Sequence, residues 1–455
     1  MLTTSSAPFE SIPVRRLLRS PSDLEHYGRD WTRRFVPSPS AVALPESVAE
    51  VQALVRWANQ TGAPLVPSGG RTGLSGGAVA ANGEVVVSLE SMRSILSFDA
   101  ADRLLTVQAG ITTQAVQDAA RERDLIYPVD FASRGSSQIG GNVATNAGGI
   151  KVLRYGLTRN WVAGLKVVTG SGELLDLNRG LVKNATGYDL RHLFVGSEGT
   201  LGVIVEVALR LAEPPPQQQV MVLALPRLDA LTELLDRLRR RLVLSAFEFF
   251  SDKALAHVVR AGGRRPFEAP APWYVLAEFD ADQEAALSAF DEALADGLVN
   301  DGVLGQSDAQ AQELWRLREG ITESLSHLRP YKNDIAVRVG MLPTFLTAAD
   351  GFFAREYPEF EVVWFGHIGD GNLHISVIHP DAMSDEAFTA SCERVTHRLG
   401  ALLSEFGGSI SAEHGVGLLK KDYLHYSRSS PEIELMRAMK RVFDPAGVLN
   451  PGKVF

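Results

Sequence analysis

The segment Phe365-Gly366-His367-Ile368-Gly369-Asp370-Gly371-Asn372-Leu373-His374 places two histidines seven residues apart around a glycine-rich turn, and a Glu413-His414 pair follows later. Two imidazoles and a carboxylate, His367, His374 and Glu413, are a three-ligand set for a metal ion. His414 cannot readily share the coordination direction of Glu413, because adjacent side chains diverge, so it stands beside the metal as a base. A metal with open positions next to a base is a reaction centre. Zinc accepts such donors, and iron or manganese can replace it. His379, His397 and His425 have no comparable context and are read as ordinary residues.

These residues need a frame. Asn372, His374 and Ser376 alternate with Leu373, Ile375 and Val377, so a strand here carries its polar set on one face. Gly369-Asp370-Gly371 supplies a turn that brings His367 back towards His374. Upstream, Val220–Leu225, Ser245–Phe250 and Trp273–Phe279 read as strands, alternating with helical runs at Leu228–Leu242 and Gln283–Leu298. A helix at about Ala309–Leu328 precedes a strand at Tyr331–Val337, and a long helix spans Asp385–Phe406. That order predicts a sheet with helices packed on it.

The run Pro214-Pro215-Pro216-Gln217-Gln218-Gln219 is the clearest linker. Before it, a helix opens at Ser47 with Glu50 completing a capping box. Strands are expected at Pro64–Pro67, Val85–Leu89, Leu104–Gln108 and Thr200–Leu211, a helix at Thr113–Asp124, and a hairpin from Leu165–Thr169 and Leu174–Leu177. The first forty residues read as polar and irregular. The mixture predicts α+β layers and not a doubly wound sheet. The expected divisions are an N-terminal segment 1–38, a first domain 39–215, a second α+β domain 216–405, and a C-terminal segment 406–455 that completes the site.

Three glycine-rich runs lie in the first domain. Pro67-Ser68-Gly69-Gly70-Arg71-Thr72-Gly73-Leu74-Ser75-Gly76-Gly77 follows a predicted strand and can present backbone amides to a phosphate. It lacks the spacing of a dinucleotide fingerprint and the Lys-Ser/Thr ending of a P-loop. Arg134 to Gly149 mixes glycine with Ser, Asn and Thr and suits a large, mostly neutral ring system. Val195-Gly196-Ser197-Glu198-Gly199-Thr200-Leu201-Gly202 is the third.

Together these runs resemble the FAD-binding domain of the vanillyl-alcohol oxidase, or PCMH-type, flavoproteins. The resemblance implies FAD contacts from Gly69, Gly70, Arg71, Thr72, Gly73, Ser75 and Gly76, then from Gly135, Ser136, Gly141, Asn142, Thr145, Asn146, Glu198, Gly199 and Gly202. The loops hold no His or Cys, so noncovalent FAD is expected. The two-histidine segment, Ser411-Ala412-Glu413-His414-Gly415 and the Asp444–Lys453 run resemble the glycolate oxidase/D-lactate dehydrogenase branch, and within it the D-2-hydroxyglutarate dehydrogenase family. The resemblance spans nearly all of the chain after residue 40. It implies zinc at His367, His374 and Glu413, His414 as catalytic base, and Asn450 near the flavin. The activity implied is oxidation of D-2-hydroxyglutarate to 2-oxoglutarate, with electrons passed to a flavoprotein carrier or a quinone.

A diacid needs a second cation beyond the metal. Arg318 and Thr322 are four apart on one predicted helix, and an Arg fork suits a carboxylate. The resemblance implies that Arg318, Thr322 and Lys332, with Asn372, Ser376 and His414, hold the substrate. Two departures stand out: the family often carries Asn where this chain has Ser376, and Pro where it has Arg338. They point towards an altered diacid such as D-malate. D-lactate or glycolate oxidation, a metal-free FAD oxidase of a sugar or lactone, and an electron-transfer subunit without a substrate site are the other readings.

The chain has 455 residues, so two or three domains are expected. Its net charge of −9 argues against a nucleic-acid partner. The single cysteine, Cys392, excludes an internal disulfide and suits a reducing compartment. Met1–Glu10 does not read as a secretory signal, and no run of about 18 apolar residues suggests a membrane helix. A cytoplasmic enzyme is expected, with peripheral membrane attachment and a homodimer both left open.

Overall fold

The computed structural model describes residues 12–455; the Met1–Glu10 stretch lies outside the described residues. The chain divides into two compact units. One gathers the residues up to 149 with 156–214 and 413–455; the other comprises 150–155 and 215–412.

In the first unit, β1 (Leu17–Leu18), β2 (Ala41–Ala43), β3 (Leu65–Ser68) and β4 (Val85–Ser88) form one sheet, ordered β1-β2-β4-β3. The β2–β4 and β3–β4 pairs are parallel. Parallel strands need a crossover, and the Val48–Thr61 helix carries the chain from β2 to β3, which flank β4 on opposite sides. Ser47 caps that helix by accepting from the Glu50 amide, worth about 1 kcal/mol. Val51, Leu54, Val55 and Ala58 recur at helical spacing and are buried. Gly62, at φ +74°, ends the helix in the left-handed conformation.

The second sheet of this unit is antiparallel throughout. It contains β5 (Ile95–Asp99), β6 (Leu104–Gln108), β7 (Val162–Thr169), β8 (Leu174–Leu177) and β9 (Gly202–Arg210), ordered β5-β6-β9-β7-β8. One apolar cluster, including Leu54, Leu65, Val107, Val167 and Val205, joins both sheets. The C-terminal segment belongs to the same unit. Leu65 donates to the Val448 carbonyl and accepts from the Asn450 amide, both at 2.7 Å, so the segment lies along β3.

The second unit is built on seven strands: β10 (Gln218–Leu225), β11 (Leu244–Ser251), β12 (Trp273–Asp280), β13 (Asp301–Leu304), β14 (Tyr331–Ala336), β15 (Val362–Gly366) and β16 (Asn372–Val377). Their order is β13-β10-β12-β11-β15-β16-β14, with every pair antiparallel. Paired residues in antiparallel strands share a face. One face therefore carries Leu276 and Tyr274 of β12, Phe250 of β11, and Val363 and Phe365 of β15. These pack with Leu314, Leu317, Ile321 and Leu325 from the Asp308–Ser324 helix and its end. Each such buried side chain contributes about 1.5–3 kcal/mol.

The α+β expectation holds. The irregular reading of the first forty residues does not: Pro21–Gly28 is a helix, started by Ser20, which accepts from the Asp23 amide at 3.2 Å. Proline at the first helical position is favourable because its missing N–H would be unpaired there. No helix among the described residues is long and apolar enough to cross a membrane.

Candidate active site

The strand register of the second unit assembles one set of polar groups. Asp334 of β14 pairs with His374 of β16, which pairs with Phe365 of β15. Lys332 pairs with Ser376, and Ala336 with Asn372. Lys332, Asp334, Asn372, His374 and Ser376 thus stand on the face that also carries Phe365. His367 follows β15 by one residue and keeps the same parity. The turn that returns the chain is closed by Asp370 and Asn372 amides donating to the His367 carbonyl, at 3.2 Å each. Gly371 sits at φ +93°, where a side chain would also meet the Val337 carbonyl. Arg239 Nη2 donates to the Gly369 carbonyl at 3.1 Å and fixes the turn from outside.

The His367 and His374 rings lie 5.3 Å apart, centroid to centroid, at 84°. A ring nitrogen of one lies within 4.8 Å of a ring nitrogen of the other. Each ring has a carboxylate at Nδ1. His367 Nδ1 meets Glu248 Oε1 at 2.9 Å, and His374 Nδ1 faces Asp334 Oδ1 at 3.6 Å. A carboxylate only accepts, so the His367 proton belongs on Nδ1, and Nε2 is the nitrogen through which that ring would coordinate. Carboxylates behind histidines in this way orient metal ligands and raise their basicity. The donor set therefore fits a zinc-like ion.

Glu248 is the residue that the sequence reading missed. It is 1% exposed, and its second oxygen lies 2.9 Å from Arg318 Nε. Burial alone would raise its carboxyl; the charges of His367 and Arg318 outweigh that and hold it below its ordinary value. The contact with Arg318 is close but not aligned as a hydrogen bond. Arg318 Nε and Nη2 are buried and have no hydrogen-bond acceptor among the described residues. Its guanidinium lies 5.0 Å above the Phe365 ring. A buried cation with spare N–H groups fits an incoming carboxylate.

Arg318 and Thr322 do not share this environment. The helix packs through Leu314, Leu317, Arg318 and Ile321, while Thr322 is exposed. At about 100° per residue, Thr322 falls about 90° off the centre of that stripe. Lys332 is exposed on β14, an edge strand, and Arg338 is exposed beyond it. Asn372 is buried, donating from Nδ2 to Asp334 Oδ1 at 2.8 Å and to the Ile335 carbonyl at 2.9 Å. Ser376 is buried.

Glu413 and His414 fall in the first unit by contact grouping. Their link to the histidine face is covalent. Ala412 is the last residue of the second unit, and its amide donates to Asp334 Oδ2 at 3.2 Å.

In the first unit the glycine loops interlock. A Cβ at Gly70 would collide with the Ser136 carbonyl, so the first and second loops touch there. Gly73, Gly135 and Gly141 border open space. Ser68 Oγ and Gln138 Oε1 are buried without a hydrogen-bond partner. Open glycines beside unpartnered buried polar atoms make a cradle that fits a large polar cofactor such as FAD. Arg71, at φ +57°, stacks on the Tyr27 ring at 4.5 Å and meets His26 Nε2 at 3.0 Å. The Pro21–Gly28 helix therefore holds the one arginine of the first loop.

Other residues of these loops face protein. Asn142 Nδ2 donates to Thr113 Oγ1 at 2.6 Å, Thr145 Oγ1 to the Gly141 carbonyl at 3.1 Å, and Asn146 Oδ1 accepts from the Arg159 amide at 3.0 Å. Gly202 lies within β9 against Val167. Glu198 accepts from the Val416 and Gly417 amides at 2.7 and 2.9 Å, and burial raises its carboxyl despite these bonds. Asn450 Nδ2 donates to the Gly77 and Glu198 carbonyls at 3.0 and 2.7 Å. Lys453, 2% exposed, donates to the Gly77 and Val79 carbonyls, and burial pushes it down to about 8. Asp30 Oδ2 takes the Gly76 amide at 2.8 Å. Lys453 and Asp30 were not singled out from the sequence.

Two family models match: an FAD binding domain over residues 39–178, and the C-terminal domain of FAD linked oxidases over residues 214–454. The D-2-hydroxyglutarate dehydrogenase of Xanthomonas citri pv. viticola is 60% identical over 450 residues, covering 98% of this chain and 95% of that protein. Its counterpart in Stutzerimonas stutzeri is 55% identical, covering 97% and 96%. Among solved structures, p-cresol methylhydroxylase with substrate bound superposes with a TM-score of 0.72 at 17% identity, covering 96% of this chain and 93% of that one. That likeness shows the fold, which is of the PCMH type.

Proposed function

The chain belongs to the FAD-linked oxidase family and is an FAD-dependent oxidoreductase, and on that premise we propose that it oxidises D-2-hydroxyglutarate to 2-oxoglutarate. The observation that carries the substrate class is the face of the second unit's sheet. It sets two carboxylate-backed histidines beside a buried arginine whose N–H groups lack acceptors. A 2-hydroxy acid has one end for a metal, and only a diacid has a second carboxylate for the arginine.

FAD, when bound by the glycine loops of the first unit, supplies the acceptor for the hydride leaving C2. A zinc ion held by His367, His374 and Glu413 would make the substrate hydroxyl more acidic. His414 takes the hydroxyl proton as general base. Arg318 receives the far carboxylate through Nη2, over the Phe365 ring, and Lys332 adds a point charge from the strand edge. Ser376, on the same face, offers a hydroxyl where a longer amide would reach further. Glu248 keeps the His367 proton on Nδ1, and Asp334 faces His374 with a negative charge. The electrons then leave to a flavoprotein carrier or a quinone.

Ser376 and the exposed Arg338 favour one variant of this reading, in which a diacid of different length such as D-malate is also turned over. The test is anaerobic. D-2-hydroxyglutarate, its L-isomer, D-malate, D-lactate and glycolate are each added to the flavoprotein while flavin absorbance is followed. Fast bleaching by the D-diacid alone, abolished by a chelator, is the expected result. Bleaching mainly by D-lactate or glycolate would overturn the diacid assignment, and bleaching mainly by D-malate would move it to the shorter diacid.

A further inference from the structure

We propose that Glu248 is a positioning residue that couples the metal ligands to the diacid clamp, so that one buried carboxylate sets both His367 and Arg318. The inference rests on the reading of this face as a metal-and-diacid site, and deepens it.

Glu248 lies in the run Ala246-Phe247-Glu248-Phe249-Phe250, where every neighbour is apolar and buried. A carboxylate in the middle of a buried strand is costly unless its charge is met. Its two oxygens are met by groups from different elements. Oε1 accepts from Nδ1 of His367, just beyond β15, and Oε2 faces Nε of Arg318 on the Asp308–Ser324 helix.

Two features separate this from an ordinary core ion pair. A structural Arg–carboxylate pair is commonly bidentate, with both oxygens on the guanidinium. Here one oxygen is given to the histidine and the other faces Nε alone, so Nη2 of the arginine is left without an acceptor. That nitrogen is open to a further anion at Arg318. Secondly, the carboxylate stands behind His367 as such groups stand behind metal-bound imidazoles. Charge drawn towards Arg318 is charge not shared with His367. An anion arriving at Arg318 returns that charge to the histidine. Diacid binding and metal binding therefore reinforce each other through Glu248, by linkage that is reciprocal.

The substitution Glu248→Gln tests this directly. An amide has one accepting oxygen and an NH₂ donor, so it can serve either His367 or Arg318 but not both. Zinc affinity is read by competition with a chromophoric chelator, and 2-oxoglutarate affinity by equilibrium dialysis with and without zinc. The wild-type protein is expected to bind 2-oxoglutarate several-fold more tightly with zinc, and zinc more tightly by the same factor with 2-oxoglutarate. In Glu248→Gln, zinc affinity is expected to fall about 10- to 100-fold, and the reciprocal factor to shrink towards one. Arg318→Met is expected to weaken 2-oxoglutarate binding strongly in the wild-type background and much less in the Glu248→Gln background. Unchanged zinc affinity in Glu248→Gln, or strictly multiplicative effects of the two substitutions, would overturn the coupling.

Should Glu248→Gln fail to fold, Glu248→Asp keeps the charge but shortens its reach, and loss of neither affinity in that variant overturns the proposal equally. A wild-type protein that binds no zinc, or loses none on His374→Ala, contradicts the metal reading itself. A wild-type reciprocal factor that Glu248→Gln leaves undiminished contradicts only the role of Glu248.

Discussion

The two units build their candidate sites by opposite means. The first uses backbone: three loops interlock through glycines, and Asn450, Lys453, Asp30 and Glu198 hold them by bonds to main-chain groups. The second uses side chains: Glu248, Arg318, His367, His374 and Asp334 come from five places in the sequence and meet on one face of a sheet. A backbone cradle suits a cofactor that stays; a side-chain constellation can be tuned to a substrate one residue at a time.

The comparison predicts that variants of the two units separate cleanly. His374→Ala is expected to cost the most. It removes a proposed metal ligand, worth several kcal/mol of transition-state stabilisation, so kcat/KM should fall by about a thousandfold or more. Metal analysis should show the ion lost and the absorbance spectrum should show FAD retained. Loss of both together would blur the two units into one.

Arg318→Met is expected to come next. It leaves Glu248 buried without its cation, which costs about 3–5 kcal/mol of stability. A thermal melt should show the second unit destabilised, while KM for the diacid rises far more than KM for D-lactate. An equal rise for both substrates would break the clamp assignment.

In the first unit, Lys453 gives a pH dependence whose sign can be worked out. Its folded value of about 8 lies below the ordinary 10.5. Between those values the unfolded chain binds more protons than the folded one, so stability rises with pH from about 8 to 10.5. Below about 8 the burial penalty is constant. The difference amounts to about 3 kcal/mol. Denaturant titrations at pH 7.5 and 10 should show wild type gaining relative to Lys453→Met; a parallel response in both would contradict the assignment. Asn450→Ala should follow at about 1–3 kcal/mol, because the Gly77 and Glu198 carbonyls lose a shared donor. FAD should dissociate faster on dilution with zinc content unchanged.

The same contrast explains what could be read from the sequence. The glycine loops were legible because each is local: ten or so neighbouring residues announce a cradle. The strand of Asn372–Val377 was legible through its alternation, and His367, His374 and Arg318 through residue type. Glu248 was not, because its partners lie 119 and 70 residues away, and only the register of β11 with β15 and the packing of the Asp308–Ser324 helix on the sheet join them. Its signal was present as a lone carboxylate in an apolar strand, without a hint of what would meet it. The Ser430–Phe443 helix was missed although Ser429 and Glu432 form a capping box, because its half-exposed apolar residues give no buried stripe. Arg318 and Thr322 differ in burial because spacing gives direction only to within a sector, and packing decides which edge of that sector is covered.

The smallest expected effect is that of Ser376→Asn. A longer amide on the same face should shift the ratio of kcat/KM for D-2-hydroxyglutarate over D-malate by less than about tenfold, under 1.4 kcal/mol, with FAD and metal unchanged. A change in flavin content would show that this face reaches further into the cofactor site than the account allows.

Stripping metal from the flavoprotein and titrating zinc back under anaerobic conditions, with D-2-hydroxyglutarate present and flavin absorbance followed, decides whether the metal takes part in the reaction. The account predicts no reduction without metal, restoration that saturates at about one zinc per chain, and no restoration in His374→Ala. Full-rate flavin reduction by the metal-free protein would contradict it.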